Sequence, residues 1–250
     1  MKKNKFIVYS AGCNCERFVQ LHMTMVKNQT YKNYTHIVID DASTDYTFET
    51  INKFATKKTT VFRNRENLGW LHNSVKYLSK LTQDDSIVVF VDLDDFFIHD
   101  HVLEYLNKIY NESNFWVTYG SFVWFTTKQI EGSPYPKNVV DNNKFREHEW
   151  LGVHPQTFRL GLYKKIKEVD FQHPDGTYLK AAYDQALMMP ILEMTSNNKL
   201  RFIAEPLYVY NNLNQNNLMK THKYYQISCA NYIRTLPGYE KLDENSLIYS

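Results

Sequence analysis

An α/β fold, with a Rossmann-like, mostly parallel central sheet flanked by helices, is predicted by three features of the chain. Short apolar runs rich in β-branched residues alternate with helix-period stretches through residues 1–100. The connections between those runs are too long for hairpins. Two of the runs end directly in carboxylates, Asp40 with Asp41 and Asp92 with Asp94 and Asp95. Alternation of this kind implies parallel strands joined by right-handed crossovers. In such sheets ligands collect in the crevice beyond the carboxyl ends of the strands.

The elements follow in order. Phe6–Tyr9 is a short strand opening into the turn Ser10-Ala-Gly-Cys-Asn14. Phe18, Leu21, His22 and Met25 fall at i, i+3, i+4 and i+7, one stripe of a helix ending near Asn28. Tyr34–Ile39 is the second strand, and Ser43 or Thr44 is placed to cap a helix reaching Ala55. Thr59–Arg63 is a weaker strand, followed by a polar turn through Gly69. Leu68, Leu71, Val75 and Leu78 mark the third helix. Ser86–Val91 then reads as a strand buried on both faces. Beyond it, Asp100–Tyr110 is a helix burying Val102, Leu106 and Ile109, and Trp116–Phe125 is an aromatic, β-branched strand. Residues 127–149 lack periodicity and are expected to be a mobile loop or lid. Aromatic and polar groups mix in Trp150–Phe158, as in a binding wall. Along Tyr178–Glu193 a helix presents Leu187, Ile191 and Met194, with Asp184 one turn earlier on the same side; Pro190 should kink or bound it. Arg201–Ala204 and Leu207–Tyr210 are short strands, Asn211–Asn217 is a loop, and a last helix runs from His222 through Tyr232.

Bulk composition narrows the function. With 29 Lys plus Arg against 27 Asp plus Glu, the formal charge of +2 supplies no global attraction to nucleic acid or anionic membrane. Apolar runs fall well short of the ~18 residues of a membrane span, and the N-terminal one is too short for a signal-peptide core. A soluble, cytoplasmic protein is expected. The three cysteines suit neither a disulfide framework nor a four-ligand zinc site, and read as free thiols. Neither G-x-G-x-x-G nor G-x-x-x-x-G-K-[ST] occurs, which disfavours dinucleotide oxidoreductases and P-loop NTPases.

Asp92, Asp94 and Asp95 at the end of a buried strand need water, a cation or a metal. Mg²⁺ or Mn²⁺, which favours one or two carboxylates plus substrate phosphates, is the economical partner. An acidic first turn for the following helix is the bland alternative.

Ile37-Val-Ile-Asp-Asp-Ala-Ser-Thr-Asp45 resembles the V-V-D-D-G-S-T-D signature of family 2 glycosyltransferases. Asn28–Tyr34 is similar to that family's N-Q-T-Y-x-N-[FY] segment, Asn67-Leu-Gly69 to its N-x-G, and Val91-Asp-Leu-Asp-Asp95 to its D-x-D motif. The resemblance spans about residues 5–100. It implies a GT-A fold over 1–250, with 1–112 as a nucleotide-sugar half, 113–220 as a smaller acceptor-binding subregion, and 221–250 as a C-terminal tail or helix. It also implies an inverting, hexosyltransferase-type enzyme using a UDP- or GDP-type nucleotide sugar and Mn²⁺ or Mg²⁺, with a glycan, protein or small molecule as acceptor. By position, Ser10 and Gly12 would line the nucleotide, Asp41 would meet the base, Asp92 would sit near the ribose or metal, and Asp94 would be the principal metal ligand. Asp184 falls at the catalytic base, its alternative role being a helix N-cap. Arg65 is a weaker nucleotide candidate, and Trp150, His154 and Gln156 are weak acceptor candidates. His222 is a further conceivable metal ligand.

The departures from the family pattern are local. The first loop lacks P-T-Y-N, Ala42 replaces a glycine, Tyr183 replaces the usual residue before the base, and no clear basic residue precedes Asp184 to serve the leaving phosphates. Two other classes stay open at this point: an idle nucleotide-sugar or glycan-binding module, and a metal-dependent phosphohydrolase or nucleotidyltransferase.

Overall fold

The computed structural model describes residues 2–195, 197–214 and 222–243. Residues 215–217 of the expected loop and residues 221 and 244–250 of the expected tail lie outside them. The first part of the chain follows the expected alternation: β1 (Phe6–Gly12), α1 (Glu16–Lys27), β2 (Tyr34–Asp40), α2 (Thr47–Phe54), β3 (Thr59–Arg63), α3 (Trp70–Tyr77) and β4 (Ile87–Phe90). These strands are parallel in the order β3-β2-β1-β4, so the chain reverses its direction of travel between β1 and β4. A crevice opens at that reversal, and both Gly12 and Asp92 stand at its rim.

Side chains alternate across these strands and divide the core. Ile7, Tyr9, Val88 and Phe90 face one side; Phe6, Val8, Ile87 and Val89 face the other. A few further elements complete the sheet: β5 (Phe96–Phe97), α4 (Val102–Ser113), β6 (Val117–Trp124), β7 (Ile130–Glu131), α5 (Lys137–Asp141), β8 (Thr157–Arg159), α6 (Leu160–Tyr163), α7 (Tyr183–Met194), β9 (Leu200–Tyr210) and α8 (Lys223–Thr235). Strand β8 runs antiparallel between β4 and β6, and β9 pairs parallel with β6 and antiparallel with β5. One nine-stranded sheet among the described residues therefore joins the acidic loop after β4 to the second half of the chain.

Several expectations need correction. In α1 the buried stripe is Val19, His22, Met23 and Val26, while Leu21 is 42% exposed. Both stripes satisfy i, i+3, i+4, i+7 and share His22, so spacing cannot separate them. Neither Ser43 nor Thr44 caps α2; the Asp45 carboxylate accepts the Thr47 N–H at 3.0 Å instead. The segment 127–149 is not a free lid. It contains β7, α5 and a 3₁₀ turn, with Tyr135, Val139 and Phe145 in the core. Arg146 closes it onto Glu193 of α7 through two bonds of 2.6 and 2.9 Å. Its elements are each too short to show a period. Of the two alternatives for Pro190, the boundary falls, since the proline lies inside α7, in a helix enclosed by core that outweighs the lost bond. The two strands expected over 201–210 are one strand with an irregularity near Pro206. No helix among the described residues is long and apolar enough to cross a membrane.

Candidate active site

A cleft of about 640 Å³ opens where β1, β2 and β4 end. One wall begins at Gly12. A β-carbon there would come within 2.9 Å of Leu93 Cβ and 3.1 Å of Cys15 Sγ, so only glycine lets β1 approach the acidic loop. The D-A-S-T-D stretch ties the first two loops together: Ser43 Oγ accepts the Asn14 N–H at 2.9 Å, and Thr47 Oγ1 accepts that of Cys15 at 2.7 Å. Ala42, at the family's glycine position, has a left-handed φ of 63°. Asp41 points into the same wall and binds the following turn, accepting the N–H groups of Leu68 (3.0 Å) and Gly69 (2.8 Å) and the Asn64 amide (2.8 Å). Gly69 supplies the φ of 82° this turn needs.

The acidic loop is the floor. Trp70 Nε1 donates to Asp92 Oδ1 at 3.0 Å and Tyr183 OH donates to Oδ2 at 2.5 Å, while the two rings stack 5.0 Å apart. Asp95 is fully engaged, accepting from Tyr208 OH (2.6 Å) and the Asn211 N–H (2.7 Å). Asp94 accepts from the Asn214 amide at 2.7 Å through Oδ2. Its Oδ1 has no hydrogen bond to another described residue. Parts of Asp92 and Asp94 are open to the cleft, yet the enclosing walls dominate their electrostatics. Desolvation, then the charge of Asp94, pushes Asp92 up to about 7. Desolvation also raises Asp94, and raises Asp95 strongly. No cationic side chain pairs with any of the three among the described residues.

A divalent cation fits this chemistry. The donors are hard carboxylate oxygens, one of them open, in a site where negative charge is uncompensated. No group of three His, Cys, Asp or Glu among the described residues could hold a metal by itself. That suits an ion whose other ligands are phosphate oxygens and water.

The opposite wall is aromatic. Phe122 and Trp124 from the end of β6, Tyr210 from the end of β9, and Trp150 all line the cleft. Trp124 and Tyr210 meet edge to face at 4.9 Å. His154 lies flat on Tyr208 at 4.3 Å, and burial pushes it down to about 3, so its imidazole is neutral. Asp184 enters beside this wall in the first turn of α7. The N-cap is Ala182, in the left-handed region at φ 52°, so Asp184 does not serve as the cap. Burial raises Asp184, partly offset by the Gln185 N–H and the Trp150 indole. That indole N–H lies toward Asp184 without closing a hydrogen bond.

Of the residues singled out in the sequence, Gly12, Asp41, Asp92, Asp94, Trp150, His154 and Asp184 line one cleft. Four do not. Ser10 is fully buried under the acidic loop, its Oγ 3.2 Å from His36 Nε2, in a chain that continues through His22 to the Asp95 carbonyl. Gln156 is buried and donates to the Gly152 carbonyl at 2.6 Å. Arg65 lines a separate shallow depression with Arg63 and Ser43. His222 is the exposed N-cap residue of α8 and does not line the cleft. The sequence reading missed Trp70, Tyr183, Phe122, Trp124, Tyr210 and Lys180. Lys180, four residues before Asp184, lines the cleft against the expectation that no clear basic residue precedes Asp184.

Known proteins resemble this chain in sequence and in fold. The sequence model of Glycosyl transferase family 2 matches residues 12–183. The UDP-Glc:alpha-D-GlcNAc-diphosphoundecaprenol beta-1,3-glucosyltransferase WfaP of Escherichia coli is 27% identical over 123 residues, covering 48% of this chain and 45% of that protein. The S. aureus TarS 1–349 structure in complex with UDP superposes with a TM-score of 0.65 at 18% identity, covering 97% of this chain and 68% of that one. The mannosyltransferase PcManGT from Pyrobaculum calidifontis, in complex with GDP-Man and Mn²⁺, gives 0.60 at 14%, covering 96% and 67%. These structures share the GT-A fold with this chain. The chain spans between 23% and 45% of the length of the curated relatives it matches.

Proposed function

The chain belongs to glycosyl transferase family 2, and on that premise we propose that it moves a sugar from a nucleoside-diphosphate sugar to an acceptor hydroxyl, inverting the anomeric carbon. The observation that carries this reading is a single cleft in which the open Asp94 carboxylate and the half-buried Asp184 both face the same space. Residues 1–112 hold the donor in this reading, and 113–220 present the acceptor. Asp41 and the turn it fixes at Leu68 and Gly69 line the nucleoside end. Asp94, with Asp92 beside it, would hold Mn²⁺ or Mg²⁺. Such an ion, when bound, offsets the charge that develops on the departing diphosphate.

The chain's own groups do the rest. Asp184 takes the proton of the acceptor hydroxyl as that oxygen attacks the anomeric carbon from the face opposite the diphosphate. Its burial raises its basicity, which suits the task. The Tyr183 hydroxyl, held on Asp92, fixes the start of α7 and so the position of Asp184. The aromatic wall offers flat apolar surface on which a sugar ring can lie.

Thermal unfolding of the wild type and of Asp94→Ala, with nucleoside diphosphates and nucleotide sugars in the presence and absence of Mn²⁺, tests this. At about 100 times its Kd a ligand that binds only the folded form adds roughly 2.7 kcal/mol. Stabilisation by one nucleotide that needs Mn²⁺ and disappears in Asp94→Ala is the expected result. A wild type stabilised by none of them overturns the reading.

A further inference from the structure

Of the three histidines buried among the described residues, two are satisfied inside the protein: His22 and His36 join Ser10 and the Asp95 carbonyl in one hydrogen-bonded chain. His154 differs from both. It is 8% exposed, it lines the cleft, and its Nδ1 is sealed from solvent with no hydrogen-bond partner. Neither ring nitrogen bonds another described residue. Buried polar groups nearly always have a partner, so one that has none inside the fold points to a partner outside it.

The segment around His154 is held by other groups. The Gly120 N–H donates to the Val153 carbonyl at 3.1 Å and the Phe90 N–H to the Gln156 carbonyl at 3.2 Å, which binds the segment to both β6 and β4. Pro155 packs where only a glycine leaves room, since a β-carbon on Gly120 would come within 2.9 Å of its Cδ. The imidazole lies flat on Tyr208, with ring centres 4.3 Å apart and planes 11° from parallel. The fold therefore uses the face of the ring and the backbone, and leaves both nitrogens to the cleft side of the chemistry. Burial keeps the ring neutral, with one N–H to donate and one lone pair to accept.

Two neighbours identify the ligand. Tyr208 OH donates to Asp95 at 2.6 Å and accepts the Asp92 N–H at 3.3 Å, so His154 is one aromatic layer from the acidic loop. Trp150 of the same segment has its indole turned toward Asp184. Between the loop assigned to the diphosphate and the base assigned to the acceptor hydroxyl lies the sugar in transfer, and its hydroxyls are groups a neutral imidazole can pair with.

We propose that His154 is a specificity-determining residue that hydrogen-bonds a hydroxyl of the sugar carried by the donor. This rests on the glycosyltransferase reading. The stack on Tyr208 ties His154 to the acidic loop, and so to the donor sugar rather than to the acceptor expected from its place in the sequence. No proton is exchanged. The imidazole orients the sugar, and a sugar whose hydroxyl points elsewhere leaves a buried nitrogen unpaired.

The test is calorimetric binding of UDP, GDP, UDP-glucose, UDP-galactose, UDP-N-acetylglucosamine and GDP-mannose to the wild type, His154→Phe and His154→Gln, at fixed Mn²⁺ with no acceptor. His154→Phe keeps an aromatic ring on Tyr208 and deletes both nitrogens; His154→Gln restores a donor and an acceptor. Because those nitrogens bond nothing in the fold, His154→Phe should melt no lower than the wild type. For the sugar nucleotide that the wild type binds best, affinity relative to its bare diphosphate is expected to fall about fivefold in His154→Phe and to recover in part in His154→Gln, as for one hydrogen bond. An unchanged ratio overturns the proposal, and so does a lower melting temperature with equal losses for bare and sugar-bearing nucleotides. A change seen only as a raised KM for the acceptor overturns it too, assigning the histidine to the acceptor. If the wild type binds none of the six, the glycosyltransferase reading falls and this role with it; if it binds and His154→Phe matches it, only the role of His154 falls.

Discussion

The two walls of the cleft are made from different materials by different routes. At the ends of β1, β2 and β4 stand charged and small residues that parallel strands ending side by side bring together: Asp41 with the turn at 68–69, and Asp92 to Asp95 within one loop. Across from them, Phe122, Trp124, Trp150 and Tyr210 come from three separate segments and meet only because β6 and β9 pair. Parallel strand ends concentrate function by topology, so one wall is a property of the fold and the other of this particular chain. In the proposed reading, donor chemistry belongs to the first wall and acceptor choice to the second. Asp184 and Tyr183 are the seam between them.

Breaking the seam should have the largest effect. Asp184→Asn is expected to lower kcat by about 10³ through loss of the general base, with donor affinity unchanged in a binding assay; an equal loss of donor binding would put Asp184 on the first wall. The second effect is electrostatic and confined to the floor. Asp92 is held at about 7 in the folded protein, above its value in the unfolded chain. Without metal, the folded state keeps a proton that the unfolded state has released, so stability falls as pH rises from about 4 to about 7. Asp92→Asn removes that proton exchange. The wild type should lose up to a few kcal/mol relative to Asp92→Asn across this window, read as diverging melting temperatures, and Mn²⁺ should diminish the gap. Parallel pH profiles would place the uncompensated charge elsewhere.

Smaller effects sharpen the contrast. Trp124→Leu is expected to raise the acceptor KM about tenfold, the worth of one aromatic contact, while leaving donor binding alone; a change in donor affinity instead would erase the division between walls. Ala42→Gly is the mildest change. Relieving a left-handed alanine should stabilise the protein by about 0.5–1 kcal/mol, net of the glycine's extra unfolded entropy, as measured by denaturant unfolding. Activity should be unaltered.

The same contrast explains what was readable in advance. The alternation of the first four strands, the carboxylates at their ends and the place of Asp184 are written in short stretches of chain, and the structure gathers seven of the eleven singled-out residues into one cleft. Ser10 failed for a reason of parity: alternate residues of β1 face opposite sides of the sheet, and proximity to the strand end did not say which side. Gln156 was misjudged because a buried amide satisfied by the Gly152 carbonyl looks in sequence like any exposed one. The clamp on Asp92 was invisible, since Tyr183 lies 91 residues away and its hydroxyl reaches the carboxylate only across the assembled cleft. Segment 127–149 hid its order in elements shorter than any period.

Strand β9 has a consequence for how the protein comes into being. Strand β5, directly after the acidic loop, is paired by Val209 and Tyr208, and Asp95 is held by Tyr208 and Asn211. A chain emerging from the ribosome can pair β1 to β4 with one another early, since those parallel pairings are internal to residues 6–90, while the other edge of β4 waits for β8. The acidic loop must wait more than a hundred residues for its braces. Long-range closure of this kind is slow and comes late, so the parallel platform is made first and the acidic floor is set only once β9 has emerged.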